Sequence, residues 1–180
     1  MKPKSTIRNP KSEAEAVGTL CPACGFCCNG VLFADVELRH GDDAARLESL
    51  GVKLFAKGGK RRFGQPCACF DDRLCRIYSD RPERCRTFEC RLLQRVIAGE
   101  LSAEHALKRI AAARQAVNRV RRLVRALGEM DETQPLSRRY ARIMAQPIDF
   151  AGDAAVIKQR SELMLAVDRL AKLLERDFLG

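Results

Sequence analysis

All nine cysteines of this 180-residue chain lie between Cys21 and Cys90, and the residues beyond Cys90 contain none. Cysteines used as small buried hydrophobes would be scattered through the chain. Their odd number argues against a closed disulfide framework. The opening stretch, MKPKSTIRNPKSEAEAVGTL, lacks the apolar run of about 7–15 residues that a signal peptide needs. Nowhere do roughly 18 apolar residues follow one another, so no membrane span is expected. The expectation is a cytoplasmic chain whose thiols stay reduced. Reduced thiols gathered in one half of a chain are disposed to bind metal.

The cysteine distribution also divides the chain. Residues 1–18 are polar and basic and read as a mobile N-terminus. Residues 19–99 read as a cysteine-cluster metal-binding domain built of short elements. Within it Val31-Leu32-Phe33 is a candidate strand, and Asp42 a candidate N-cap for a short helix carrying Leu47 and Leu50. Val52–Phe55 and Arg61–Phe63 flank Gly58-Gly59 and predict a hairpin. Tyr78 is expected in the core. Asp80-Arg81-Pro82-Glu83 has the signature of a helix start, with the helix running to about Ala98. Elements this short bury too little apolar area to stand without a metal or cross-links.

Residues 100–180 read as a helical hairpin. Ser102 opens a helix that Gly128 closes, and Ala106, Ile110, Ala113, Val117, Val120, Val124 and Leu127 make one apolar seam at four- and three-residue steps. Asp153 opens a second helix with Val156, Leu163, Val167, Leu170 and Leu174 as its seam. Antiparallel packing joins the two through an irregular stretch, 129–152, containing Pro135 and Pro147. The predicted fold is therefore mainly α. A small irregular metal-stabilised cysteine-cluster domain with a short β-hairpin precedes a long C-terminal helical hairpin, itself a candidate partner or dimerisation module. The chain has no Trp and only 6% aromatic residues, which disfavours a sandwich built on aromatic pairs.

The first cluster is Cys21-Pro-Ala-Cys24-Gly-Phe-Cys27-Cys28; the second is Cys67-Ala-Cys69, then Cys75, Cys85 and Cys90. Two residues between cysteines let a tight turn aim both sulfurs at one ion. Adjacent residues point roughly 100° apart on a helix and to opposite faces on a strand, so Cys27 and Cys28 serve two centres or one is spare. Cys85 and Cys90 stand about 140° apart and roughly 7.5 Å along an ideal helix. They cannot share one ion unless that helix breaks. Two four-thiolate centres use eight cysteines and leave one; two centres, or one polynuclear centre, are favoured over an isolated ion. All-thiolate ligation suits zinc, iron–sulfur clusters and monovalent copper. The two-cluster ferredoxin spacing would require a cysteine where Val31 stands. The βαβ setting of a thioredoxin-type CxxC is missing.

CPACGFCC at 21–28 followed by PCACFDDRLCRIYSDRPERCRTFEC at 66–90 resembles the CxxCxxCC cysteine-cluster family, the YkgJ-like zinc- or iron-chelating domain proteins. Cys75, Ile77, Tyr78, Arg81, Pro82, Cys85, Arg86 and Phe88 match the second half of the family pattern. The resemblance spans about residues 20–95 and excludes the C-terminal helices. It implies metal chelation, with Cys21, Cys24, Cys27, Cys28, Cys67, Cys75, Cys85 and Cys90 as ligands. The pattern asks for one cysteine where this chain has Cys67 and Cys69. Cys67, directly after Pro66, fits better and leaves Cys69 as the spare or as a substitute.

The function expected is that of a cytoplasmic metal-binding protein, its cofactor zinc or an iron–sulfur cluster, with a structural, metal-handling or redox-sensing role. An Fe–S redox enzyme or electron carrier is the alternative, although no GxGxxG fingerprint accompanies it. Arg81 and Arg86 are candidates for bonding cluster sulfurs or an anion, against a bland reading as surface arginines. His40 and His105 lack ligand-spaced partners and read as surface residues. Thirty-three Lys and Arg against 23 Asp and Glu give +10, and Lys108, Arg109, Arg114, Arg119, Arg121, Arg122 and Arg125 crowd one helix. A basic nucleic-acid-binding zinc protein is the weaker alternative. The bases surround the seam as on a solvated helix, and no aromatics interleave for stacking. An acidic protein partner, or self-association through the C-terminal helices, is the middle case.

Overall fold

The computed structural model describes residues 10–71, 74–148 and 153–179. The elements are α1 (Pro10–Cys24), β1 (Asp35–Glu37), α2 (Ala44–Ser49), β2 (Leu54–Lys57), β3 (Lys60–Gly64), α3 (Glu83–Thr87), α4 (Arg91–Ile97), α5 (Ala103–Ala126), α6 (Leu136–Ala145) and α7 (Ala154–Leu174). A π-helical turn, Glu175–Leu179, ends the chain. The fold is mainly α with a small antiparallel sheet.

The long helices begin where their caps place them. Ser102 accepts from the His105 amide and Asp153 from the Ala155 amide, each satisfying a donor that the first turn leaves free. On α5 Ala106, Ile110, Ala113, Val117, Val120 and Val124 are buried. On α7 Leu163, Leu170 and Leu174 are buried, while Val156 is exposed and Arg160 and Ala166 complete the face. Arg109 meets Asp177 and Arg119 meets Glu162, so the start of α5 faces the end of α7 and the pair is antiparallel.

Several expectations are corrected. The basic lead-in is helical from Pro10 onward, because Ala16 and Leu20 of α1 are buried and α1 packs on α4 and α5; residues 1–9 lie outside the described residues. Val31-Leu32-Phe33 is not a strand. Val31 enters the main core, and the strand is Asp35–Glu37, paired to β3 with Val36 opposite Phe63. The cap of α2 is Asp43, while Asp42 accepts from the Arg39 and Glu83 amides instead. The stretch 129–152 holds a helix, α6, with Leu136, Arg139 and Ile143 buried. Just past its end, Arg160 donates to Gln146 O (2.6 Å) and Pro147 O (3.0 Å). The hairpin stands as read: β2 pairs β3 around Gly58-Gly59, at φ 59 and 73, the doubly positive turn that suits strand twist.

Two cores result. The larger gathers Leu20, Phe26 and Val31 from the first cysteine motif and Leu92 and Leu93 from α4 with the seams of α5 and α7. The smaller is Leu47, Val52, Phe63, Cys69 and Ile77, beneath the sheet.

Candidate metal centre

The first motif straddles the end of α1. The Gly25 amide donates to Cys21 O at 3.0 Å, and the chain reverses there, the Cys28 and Asn29 amides both donating to Gly25 O at 3.0 Å. Gly25 has φ +70, and a Cβ on it would stand 2.7 Å from Phe70 Cζ. Only glycine meets both the backbone and the close approach of the second stretch. Phe26, fully buried, packs on Phe178 at 5.4 Å between ring centroids. The motif is thereby fastened to the C-terminal turn.

The second stretch meets the first through the backbone: the Cys67 amide donates to Cys28 O at 2.8 Å. Phe70 and Cys75 form an antiparallel bridge, and the Arg76 amide donates to Cys69 O at 2.8 Å. The single helix expected over 80–98 is two. Phe88 and Cys90 take extended backbone between α3 and α4, and Phe88 turns aside to pack edge-on against Phe33 at 4.9 Å. Cys85 and Cys90 thus stand on separate helical segments.

Between the motifs opens a cavity of about 1360 Å³, lined by Cys21, Cys24, Cys27, Cys28, Cys67, Cys75, Cys85 and Cys90. Cys69 does not line it. That thiol is buried in the small core, with Sγ 3.9 Å from Leu50 O and its amide donating to Cys67 Sγ at 3.4 Å.

Within the cavity the thiols sort into two neighbourhoods. Cys21 is influenced by Cys90, Cys24 by Cys90 and Cys21, and Cys27 by Cys24, Cys90, Cys28 and Cys21. Cys85 is influenced by Cys28, Cys67 and Cys75, and Cys28 by Cys67 and Cys75. Cys90 acts on Cys21, Cys24 and Cys27, and Cys85 is acted on by Cys28, Cys67 and Cys75, while Cys28 also acts on Cys27 across the two groups. The two sides adjoin, since Cys21 also acts on Cys28.

Burial is the main influence on every one of these thiols, and neighbouring sulfurs add to it. Cys24, Cys28 and Cys85 are pushed up to about 12 and Cys67 to about 11; Cys21, Cys27, Cys75 and Cys90 are raised. Opposing that, the Arg81 charge lowers Cys21, Cys28, Cys75 and Cys85, and Arg114 lowers Cys24. The amides of Phe26 and Ile77, two residues past Cys24 and Cys75, act in the same sense. Buried thiols without a cation are neutral at pH 7, and a soft cation that binds them displaces their protons. Among the described residues, no three His, Cys, Asp or Glu side chains already surround a common ion position. None of the nine cysteines is joined to another. The donor chemistry is the all-thiolate set that zinc and iron–sulfur clusters take.

Other expected residues lie elsewhere. His40 and His105 are exposed, and His105 Nδ1 is 2.7 Å from Ser102 Oγ at the start of α5. Tyr78 is not core: it is half exposed under the Arg81 guanidinium, 3.6 Å from its ring centroid. The basic face of α5 is largely engaged within the chain. Lys108 pairs with Glu104, Arg109 with Asp177, Arg119 with Glu162 and Arg125 with Glu132. Arg114 donates to Ala23 O at 2.6 Å, which ties α5 to the first motif, and nothing in its sequence setting distinguishes it from the rest of that face. Phe70 and Phe178, which hold the first motif from two sides, are likewise invisible at the level of spacing. No helix among the described residues is long and apolar enough to cross a membrane.

Residues 20–113 match the family profile described as "CxxCxxCC: putative zinc- or iron-chelating domain", which is more than half of the chain. The chain belongs to this family. The match extends beyond residue 95 into α5, the helix that supports the first motif with Ile110 and Ala113 in the shared core. No curated protein and no solved structure matches the chain.

Proposed function

We propose that this protein binds two metal centres, one through Cys21, Cys24, Cys27 and Cys90 and the other through Cys28, Cys67, Cys75 and Cys85. What supports this reading is that eight thiols line one cavity, with Cys90 acting on Cys21, Cys24 and Cys27, and Cys67 and Cys75 acting on Cys28 and Cys85. Cys69 does not line the cavity and is assigned no ligand role, although Cys67, Cys75 and Cys85 pack against the small core that holds it. Each neighbourhood draws on both cysteine stretches or on distant parts of one, so a bound ion ties α1 to α4 and the first motif to the small core. With all four positions filled by protein, a zinc centre is closed and its role is structural. Such a centre contributes directly to folding. A reducing compartment, the cytoplasm, keeps the thiols available.

A second reading, that each centre is an iron–sulfur cluster with a redox role, is favoured by the all-thiolate lining of the cavity, which such clusters take as readily as zinc. Elemental analysis and an absorption spectrum of full-length protein prepared without oxygen separate the two. Colourless protein with about two zinc per chain is the expected result. Brown protein with iron and acid-labile sulfide selects the second reading, and protein without bound metal overturns both.

A further inference from the structure

Many cations around the sheet and the long helices have carboxylate partners: Arg62 meets Asp35 at 2.6 Å and Glu37 at 2.9 Å, Lys60 meets Glu37, Arg142 meets Glu129, and Lys172 meets Asp168. Along the second cysteine stretch, Arg81, Arg84 and Arg86 pair with no carboxylate among the described residues, and all three line the cavity.

Arg81 differs from the other two. Its guanidinium lies 3.6 Å from the Tyr78 ring centroid, and its Nε donates to Tyr78 O at 2.9 Å. It is half-buried, while Arg84 and Arg86 are exposed. Stack and hydrogen bond together fix the plane of the group, and they leave both terminal amino groups unpartnered among the described residues. A fixed guanidinium with unused donors, on the wall of a cavity lined by eight thiols, is placed for anionic sulfur.

We propose that Arg81 is a positioning cation shared by the two proposed metal centres, offsetting the negative charge of both and so allowing them to fill side by side. This rests on the two-centre reading above. A zinc ion with four thiolates carries a net charge of about −2, so two such centres sharing one cavity repel each other. Water screens that repulsion poorly at a buried site. The Arg81 charge already bears on Cys21 of one neighbourhood and on Cys28, Cys75 and Cys85 of the other. Such outer partners commonly alter metal affinity by about 10–100-fold.

The test is zinc titration of the metal-free, full-length protein without oxygen, in competition with a chromophoric chelator, for wild type, Arg81→Gln, Arg81→Lys and Arg86→Gln. Wild type takes up two ions. Arg81→Gln, which keeps a planar donor and loses the charge, also takes up two, with the second bound about 10–100-fold more weakly. Arg81→Lys, which restores the charge and loses the planar stack, recovers much of the affinity; Arg86→Gln changes it by less than about threefold. Wild-type affinity for both ions in Arg81→Gln overturns the proposal. So does an Arg81→Lys protein as impaired as Arg81→Gln, because the stack and not the charge would then matter. If wild type takes up fewer than two ions, the two-centre reading itself fails and the proposal falls with it.

Discussion

The two cysteine stretches are supported very differently. The first, Cys21–Cys28, joins helix α1 to a core that includes Phe26, Leu92, Val117, Val120, Leu163 and Phe178. Arg114 and Phe178 fasten it from α5 and from the C-terminal turn. The second, from Cys67 to Cys85, rests on five buried side chains, one of them Cys69, and on a three-stranded sheet whose β2 is mostly exposed. Burial of a large apolar side chain stabilises by roughly 1.5–3 kcal/mol, so the first motif has structural support without metal that the second lacks. On the proposed reading, shape in one region is set by packing, and in the other it depends on whatever the thiols bind.

Metal removal should therefore act unequally, and this is the largest effect expected. Structural zinc contributes on the order of 10 kcal/mol, far more than the small core can replace. After chelation under reducing conditions, amides of residues 35–85 should lose hydrogen-exchange protection while those of α5 and α7 keep it. Equal loss throughout would erase the difference between the regions.

Phe178→Ala tests the comparison from the other side. Removing a fully buried ring costs about 3–5 kcal/mol, and the loss falls on the partner of Phe26. Thermal or denaturant unfolding should show that destabilisation, and zinc should be lost from the first neighbourhood with the second still filled. Loss from both together would mean that the second region also depends on the helical core.

A smaller effect comes from Asp177, buried at the same end of the molecule. Burial alone would raise its carboxyl, but bonds from Arg176 (2.6 Å) and Arg109 (2.5 Å) hold it below the usual carboxylate range. A depressed folded-state value means a stabilisation present above the unfolded carboxylate pKa of about 3.9 and lost as pH falls through the folded value. Asp177→Ala should cost about 1.5–3 kcal/mol at neutral pH. The gap between variant and wild type should close in acid; a gap that persists there would assign the effect to packing.

Local chemistry made part of this legible in advance. Ser102, Asp153 and the Gly58-Gly59 turn announced α5, α7 and the hairpin, because caps and positive-φ turns are decided by a few neighbouring residues. Helix α6 was hidden because Arg139 stands in its apolar stripe between Leu136 and Ile143, while Arg138 and Arg142 lie exposed on the other face. Arg139 is nevertheless buried, donating to Glu129 O at 2.9 Å, a contact only the folded chain supplies. Helix α1 was hidden for a similar reason, since Ala16 and Leu20 become core residues only against α4 and α5. Adjacency bears only on whether Cys27 and Cys28 can share one ion. It could not place Cys90 beside Cys21 and Cys24, because that depends on the break after α3 and the docking of Leu92 and Leu93.

The neighbouring pair Cys27 and Cys28 offers the most direct experiment: zinc per chain in Cys27→Ser, in Cys28→Ser and in the double variant, each prepared full-length without oxygen. If the proposed division holds and the two sulfurs belong to different ions, each single change should remove about one zinc of two, and the double change both. Retention of both zincs in either single variant, or loss of both in each, would contradict a division of the eight thiols into two independent sets.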